Sequence, residues 1–234
     1  MSDEKIPRAQ TRSLLRGLAA LEHVAAVGEA TVADLATALA LPRASAHILL
    51  STLTRAGYLR QARRRGAYRV DLKVLELTNA VLRHMPVRER AAALLHELAA
   101  ETGLNAYLAV LFRDRAMTID RIVPHPRPEA RSDLGVTNPA YASAMGKAIL
   151  AFLPTTELQH YLSNVRFEPI TEHTISSVSA LRAELERVRA QGYALSEGEH
   201  RSGVRSIAAP VFAYGGDVVA SICVRHYVPF PQPP

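Results

Sequence analysis

Gly28, Thr31, Pro42 and Gly57 cut residues 13–57 into three short helical segments, and this punctuation constrains the N-terminal third more than any other feature of the chain. From Ser13 to Val27 the residues Leu14, Leu15, Leu18, Leu21, Val24 and Ala25 recur at three and four, the spacing of one buried helical face, and Gly28 follows as a C-cap. Thr31 is placed to N-cap VADLATAL, with Val32, Leu35, Ala36 and Leu39 on one side. Pro42 pre-sets the first turn of a third helix, where a missing N–H costs nothing, and Ile48, Leu49, Thr52 and Leu53 supply its expected core face. Gly57 closes it. YLRQARRRGAYRV then reads as two short strands around a basic turn containing Gly66. Three helices, the last two joined by a tight turn, followed by a basic hairpin, predict a winged helix-turn-helix over residues 1–70.

The charge distribution agrees. Residues 1–70 carry eleven Lys or Arg against five acids, which is the whole of the chain's net charge of +6. A basic module joined to a neutral remainder suggests a polyanion partner, although charge alone equally fits an inert solvated face. In the winged reading, Arg43, Ala44, Ser45 and His47 enter the major groove of double-stranded DNA, while Arg63, Arg64 and Arg65 approach phosphates or the minor groove. The bland alternative is a structural helical hairpin with a solvated basic loop.

Residues 71–85 form an expected linker helix, with Leu72, Val74, Leu75, Leu77, Val81 and Leu82 apolar, and Pro86 marks the break before a second domain over 86–234. There RERAAALLHELAAET reads as a helix stopped by Gly103, and NAYLAVLFRDRAMTIDRIV as two strands turning at 113–115. The proline-rich stretch 124–141 reads as a long loop over one sheet face. Ser143 caps a helix in AMGKAILAFL, Pro154 opens another, and SALRAELERVRAQGY supplies a third that stops at Gly192. GVRSIAAPVF and GGDVVASICVRHY form a hairpin about Gly215 and Gly216. Strands at both ends with helices between them predict an α+β domain.

Most catalytic patterns fail. Gly146 and Lys147 lack the earlier glycine of a phosphate-binding loop, and Ala148 stands where a magnesium-holding hydroxyl belongs. Ser143 and Lys147 are four apart rather than three, and no Gly-x-Ser-x-Gly elbow exists. Nine scattered histidines without metal-ligand spacing argue against a metal, and no cofactor is expected. The lone Cys223 excludes an internal disulfide and reads as a buried inert thiol. No run approaches about 18 apolar residues and the first residues lack a signal-peptide core, so a cytoplasmic protein without membrane contact is expected. The short helix after Ser143, with Ala144, Met145 and Gly146 small or flexible, offers unpaired N–H groups to a carboxylate.

LPRASAHILLSTLTRAGYLR resembles the recognition-helix segment of the IclR family of bacterial transcription regulators, and PAYASAMGKAILAFL, ALRAELERVRAQGYA and EHRSGVRSIAAPVF resemble its GAF-like effector-binding domain. Ile48 departs from the family pattern, which commonly has Arg there, and the closing VPFPQPP replaces the family's usual terminal helix, so assembly through that helix is not expected. The resemblance implies a homodimer or homotetramer on a palindromic operator. Carried over by position, it implies effector contacts at Ala144, Met145, Ser196, Glu197, Ser206, Cys223 and Arg225. Arg225 replaces a small hydroxyl residue and adds a fork for a carboxylate, or else is an exposed strand-end arginine. Tyr141, together with Ser206 in place of a common cysteine, resembles the branch sensing aromatic acids such as 4-hydroxybenzoate or protocatechuate, with Tyr141 and Met145 around the ring. The competing readings are a sensor of a small aliphatic keto acid, a small-molecule hydrolase with a basic appendage, and an architectural DNA-binding protein.

Overall fold

The computed structural model describes residues 11–62, 66–124 and 133–227. The chain divides into two compact units, Met1–His84 and Met85–Pro234.

The first unit opens with α1 (Arg12–Val27), α2 (Val32–Ala38) and α3 (Arg43–Arg55), followed by the antiparallel hairpin β1 (Leu59–Gln61) and β2 (Tyr68–Val70). Ala20 and Val24 of α1, Leu35 and Ala36 of α2, and Ala46 and Leu50 of α3 meet in one core with Leu59 and Tyr68 from the hairpin. The expected core faces need correction at both ends of this bundle. Leu14, Leu15 and Leu18 are exposed, because α1 reaches the other helices through the small Ala20 and through Val24 one turn on, leaving its first two turns outside. On α3 the buried strip is Ala46 and Leu50, flanked by Leu49 and Leu53. Ile48, two residues from each, lies nearly opposite on a helix of about 3.6 residues per turn and is 61% exposed, and Thr52 is exposed as well. Pro42 is the N-cap of α3 rather than a residue of its first turn, its carbonyl accepting from the Ala46 amide at 3.1 Å. The next helix, α4 (Lys73–Arg83), buries none of its residues and belongs to the first unit. Lys73 at its start donates to the Ala56 carbonyl at 2.7 Å and covers the Tyr58 ring.

The second unit is α+β. After α5 (Pro86–Thr102), closed by left-handed Gly103, come β3 (Asn105–Phe112), β4 (Arg115–Ile122), β5 (Thr137–Pro139), α6 (Ala144–Leu150), α7 (Thr155–Asn164), α8 (Val178–Gln191), β6 (Ala194–Glu197), β7 (Val204–Phe212) and β8 (Val218–Tyr227). The six strands form one antiparallel sheet in the order β5-β4-β3-β8-β7-β6. Two of the short strands add to the expected set. β5 interrupts the stretch expected to be loop, and β6 adds an edge beside β7. Alternation along β3 sends Leu108 to one face, where it packs with Leu95 and Ala99 of α5, and Tyr107 to the other, where it joins the core beneath α6, α7 and α8. Among the described residues no helix is long and apolar enough to cross a membrane.

Candidate functional site

Two regions carry candidate chemistry, one on each unit. In the first, α2 is fastened by a reciprocal cap: Thr31 Oγ1 accepts from the Asp34 amide at 3.2 Å, and the Asp34 carboxylate accepts from the Thr31 amide at 2.9 Å. The turn to α3 passes through Ala40 at φ 50°, in the left-handed region that a residue with a Cβ seldom adopts. Arg43, Ala44 and His47 are exposed there and Ser45 is half-buried, so all four expected groove-facing residues share the first turns of α3. Exposed Ile48 extends the same face, placing an apolar branched side chain where the resemblance leads one to expect a cation. Arg63, Arg64 and Arg65 lie outside the described residues.

The second region is a cavity of about 220 Å³ in the second unit. Ala144, Met145, Ser196, Ser206, Cys223 and Arg225 line it, brought together from α6, β6, β7 and β8. Tyr141 and Glu197 do not. Tyr141 lies in a 3-10 turn ahead of α6, with its ring edge-on to Phe167 and its hydroxyl accepting from the Glu168 amide at 2.9 Å, so it belongs to the core. Glu197 follows inward-facing Ser196 on β6 and therefore points outward, 3.5 Å from Arg205. Gly146 also has a different role from the one expected. A Cβ there would sit 2.3 Å from the Ala140 backbone, so the glycine permits α6 to pack on the preceding turn rather than a ligand to approach. The Ser143 hydroxyl already takes the Gly146 amide at 3.1 Å, and α6 has only seven residues, which leaves little of the helix end for an anion.

Two cations line this cavity among the described residues, Arg201 of the loop after β6 and Arg225 of β8, and Arg225 is the one the sequence singled out. The side chain of Arg225 is only 16% exposed, its guanidinium carbon lies 4.4 Å from the Tyr107 ring centre, and its nearest acid among the described residues is Asp133 at 4.0 Å, an aspartate bound more closely by Arg121 at 3.0 Å. Arg225 Nε is buried with no hydrogen-bond partner among the described residues. The alternative of an exposed strand-end arginine is thereby replaced by a largely buried one that lines the cavity. Cys223 beside it is buried and its thiol is pushed up to about 12 by burial, so it is no nucleophile. Sequence reading missed Thr118, Asn138, Asp133, His200 and Arg201, which also line the cavity. They reach it through the pairing of β4 with β5 and through the loop after β6, neither of which leaves a local pattern. Among the described residues no group of His, Cys, Asp and Glu side chains could hold a metal ion.

A helix-turn-helix unit with its third helix presented, joined to a separate unit with a cation-bearing cavity, defines a ligand-responsive transcription regulator. Residues 13–63 match the IclR helix-turn-helix domain, and residues 79–228 match the bacterial transcriptional regulator IclR C-terminal domain. The chain belongs to the IclR family. It is 32% identical over 83% of its length, and 77% of the relative's, to the HTH-type transcriptional regulator XynR of Escherichia coli. The crystal structure of Thermotoga maritima IclR superposes with a TM-score of 0.72 at 26% identity, covering 93% of this chain and 88% of that one. An IclR homologue of Microbacterium hydrocarbonoxydans complexed with 4-hydroxybenzoate superposes with a TM-score of 0.77 over 94% and 91% of the two chains; at 20% identity it shows the shared fold. IclR regulators bind operator DNA and small-molecule effectors, and the family's members are regulators rather than enzymes.

Proposed function

We propose that this regulator binds a palindromic operator as a homo-oligomer and is controlled by an aromatic carboxylic acid of the 4-hydroxybenzoate or protocatechuate type. Arg43, Ala44, Ser45 and His47 read the major groove, with Arg63, Arg64 and Arg65 on the phosphates or in the minor groove. The effector assignment rests on one observation: Arg225, its side chain 16% exposed, lines the cavity with no acid nearer than Asp133 at 4.0 Å among the described residues. A carboxylate in the cavity matches the guanidinium in charge and can accept two parallel hydrogen bonds from such a fork. Ser206 and Ser196 stand nearby for polar substituents, and Met145 and Val204 give apolar wall. The volume is below the roughly 300–1,000 Å³ of pockets for drug-sized ligands, which suits a compact acid.

The test is a melting series of the full chain with benzoate, 4-hydroxybenzoate, protocatechuate, the corresponding amides, and pyruvate. Stabilisation by the aromatic acids and not by their amides supports the proposal. Stabilisation by pyruvate alone transfers the site to aliphatic keto acids, and indifference to every acid overturns the acid reading.

A further inference from the structure

Lys147 is almost wholly buried in α6, a position that demands compensation for its charge. It finds two acids: Glu184 of α8 at 2.9 Å and Glu199 at 2.6 Å. Glu199 belongs to the loop 198–203, which closes one side of the cavity. Polar contacts tie that loop down at several further points. Thr171 Oγ1 donates to the Gly198 carbonyl at 2.8 Å, Thr174 Oγ1 donates to the Glu199 carbonyl at 2.7 Å, and the Gly198 amide donates to the Val204 carbonyl at 2.8 Å. Gly198 itself runs at φ +72°, with the His173 ring 3.3 Å from where a Cβ would be, so the chain must turn there with no side chain.

The residue after Glu199 is His200, which lines the cavity with Arg225 and Ser206. Its Nδ1 is buried and has no hydrogen-bond partner among the described residues. Burial first, and then the charges of Arg115, Arg225 and Arg201, hold the imidazole below its ordinary range, so near neutrality it offers one donor and one acceptor rather than a second positive charge. Among the described residues the cavity wall thus carries two polar groups of different character, the Arg225 guanidinium and the uncharged His200 imidazole. One suits a carboxylate and the other a hydroxyl.

We infer that His200 is a specificity-determining contact for a hydroxyl on the acid, and that Lys147 and Glu199 are positioning residues that hold the His200 loop against the cavity. The inference rests on the acid-binding reading and extends it: Arg225 sets affinity for the carboxylate, His200 sets preference among acids. A neutral hydrogen-bonding group discriminates well, because a ligand without the hydroxyl leaves it buried and unpaired. Positioning by a buried ion pair also explains why an α6 residue that is not part of the cavity wall is charged at all.

Calorimetry with 4-hydroxybenzoate and benzoate, beside amide hydrogen exchange of residues 198–203 in the unliganded full chain, tests both halves. In His200→Ala the preference for 4-hydroxybenzoate over benzoate falls about tenfold while benzoate affinity stays within about threefold. Glu199→Gln speeds exchange in the loop and reduces the same preference; a purely structural role would weaken both acids alike. Lys147→Met takes from the buried Glu199 its cation and leaves Glu184 only Arg187, so it is prone to unfold, and Thr174→Val serves as the second variant, loosening the loop without touching a charge. An unchanged preference in His200→Ala overturns the specificity role. Unchanged loop exchange in both Glu199→Gln and Thr174→Val overturns the positioning role. If the parent binds neither acid while loop exchange still accelerates in the variants, the acid reading and the specificity role fall and the positioning role stands.

Discussion

Arg225 of β8 and Tyr107 of β3 are diagonal neighbours across the central strand pair, and the guanidinium carbon stands 4.4 Å from the centre of the tyrosine ring. The ring is fully buried, and at this distance its negative face attracts the cation in a site where water is scarce. An acid at a hundred times its dissociation constant should stabilise the native state by about 2.7 kcal/mol. Arg225→Ala should erase most of the difference between an acid and its amide in the melting series. Equal selectivity in variant and parent would remove the carboxylate clamp from consideration.

On the other unit, Ser45→Ala or His47→Ala should reduce discrimination between operator and scrambled DNA by about 1–3 kcal/mol for each base that the native side chain reads. Replacing Arg63, Arg64 and Arg65 together by alanine should instead weaken all DNA alike and flatten the salt dependence. Gel-shift titrations at two salt concentrations separate the two outcomes, and unchanged operator affinity in every variant refutes the assignment.

His200 links stability to pH. Its folded-state pKa lies below the unfolded value near 6.5, so between those values the unfolded chain binds more protons. The contribution is present above about pH 6.5 and is lost as pH falls through the folded value. Melting temperatures of the parent should drop on acidification through that window, and His200→Gln should flatten the slope. A parallel fall in both proteins would assign the effect elsewhere.

Gly146→Ala offers a test of the α6 packing. Helix propensity alone favours alanine by about 1 kcal/mol, yet the added carbon would meet backbone of Ala140 that cannot rotate away. A net loss of about 1–3 kcal/mol or more in urea denaturation is expected. Equal or greater stability would mean that the turn and α6 separate more readily than their close approach indicates.

The elements most readable in the sequence are those whose ends carry their own chemistry. Thr31, Ser143, Gly103 and Gly192 each cap the helix they are expected to cap, because capping joins near neighbours in the chain. The cavity is half legible. Ser196, Ser206, Cys223 and Arg225 come from resemblance, and the structure brings their side chains to one place. Strand alternation would set Glu197 aside once β6 is recognised, whereas Tyr141 faces the core because of a 3-10 turn that its neighbours do not announce. His200 and Asn138 arrive through a loop and a strand register that bring together residues far apart in sequence. The exposed Leu14, Leu15 and Leu18 show the limit of periodicity: it identifies an apolar face but not what covers it.

The strand order has a consequence for how the protein is made. The centre of the sheet joins β3 to β8, pairing Asn105 with Arg225, whereas the core of the DNA-binding unit is drawn entirely from residues 20–70. During synthesis the helix-turn-helix unit can close as soon as its own hairpin emerges, but the sheet must wait for its last strand. That strand carries Arg225 of the cavity wall. A nascent chain therefore passes through a stage in which the part that would grip an operator is complete while the part that would answer to an effector is still missing its middle.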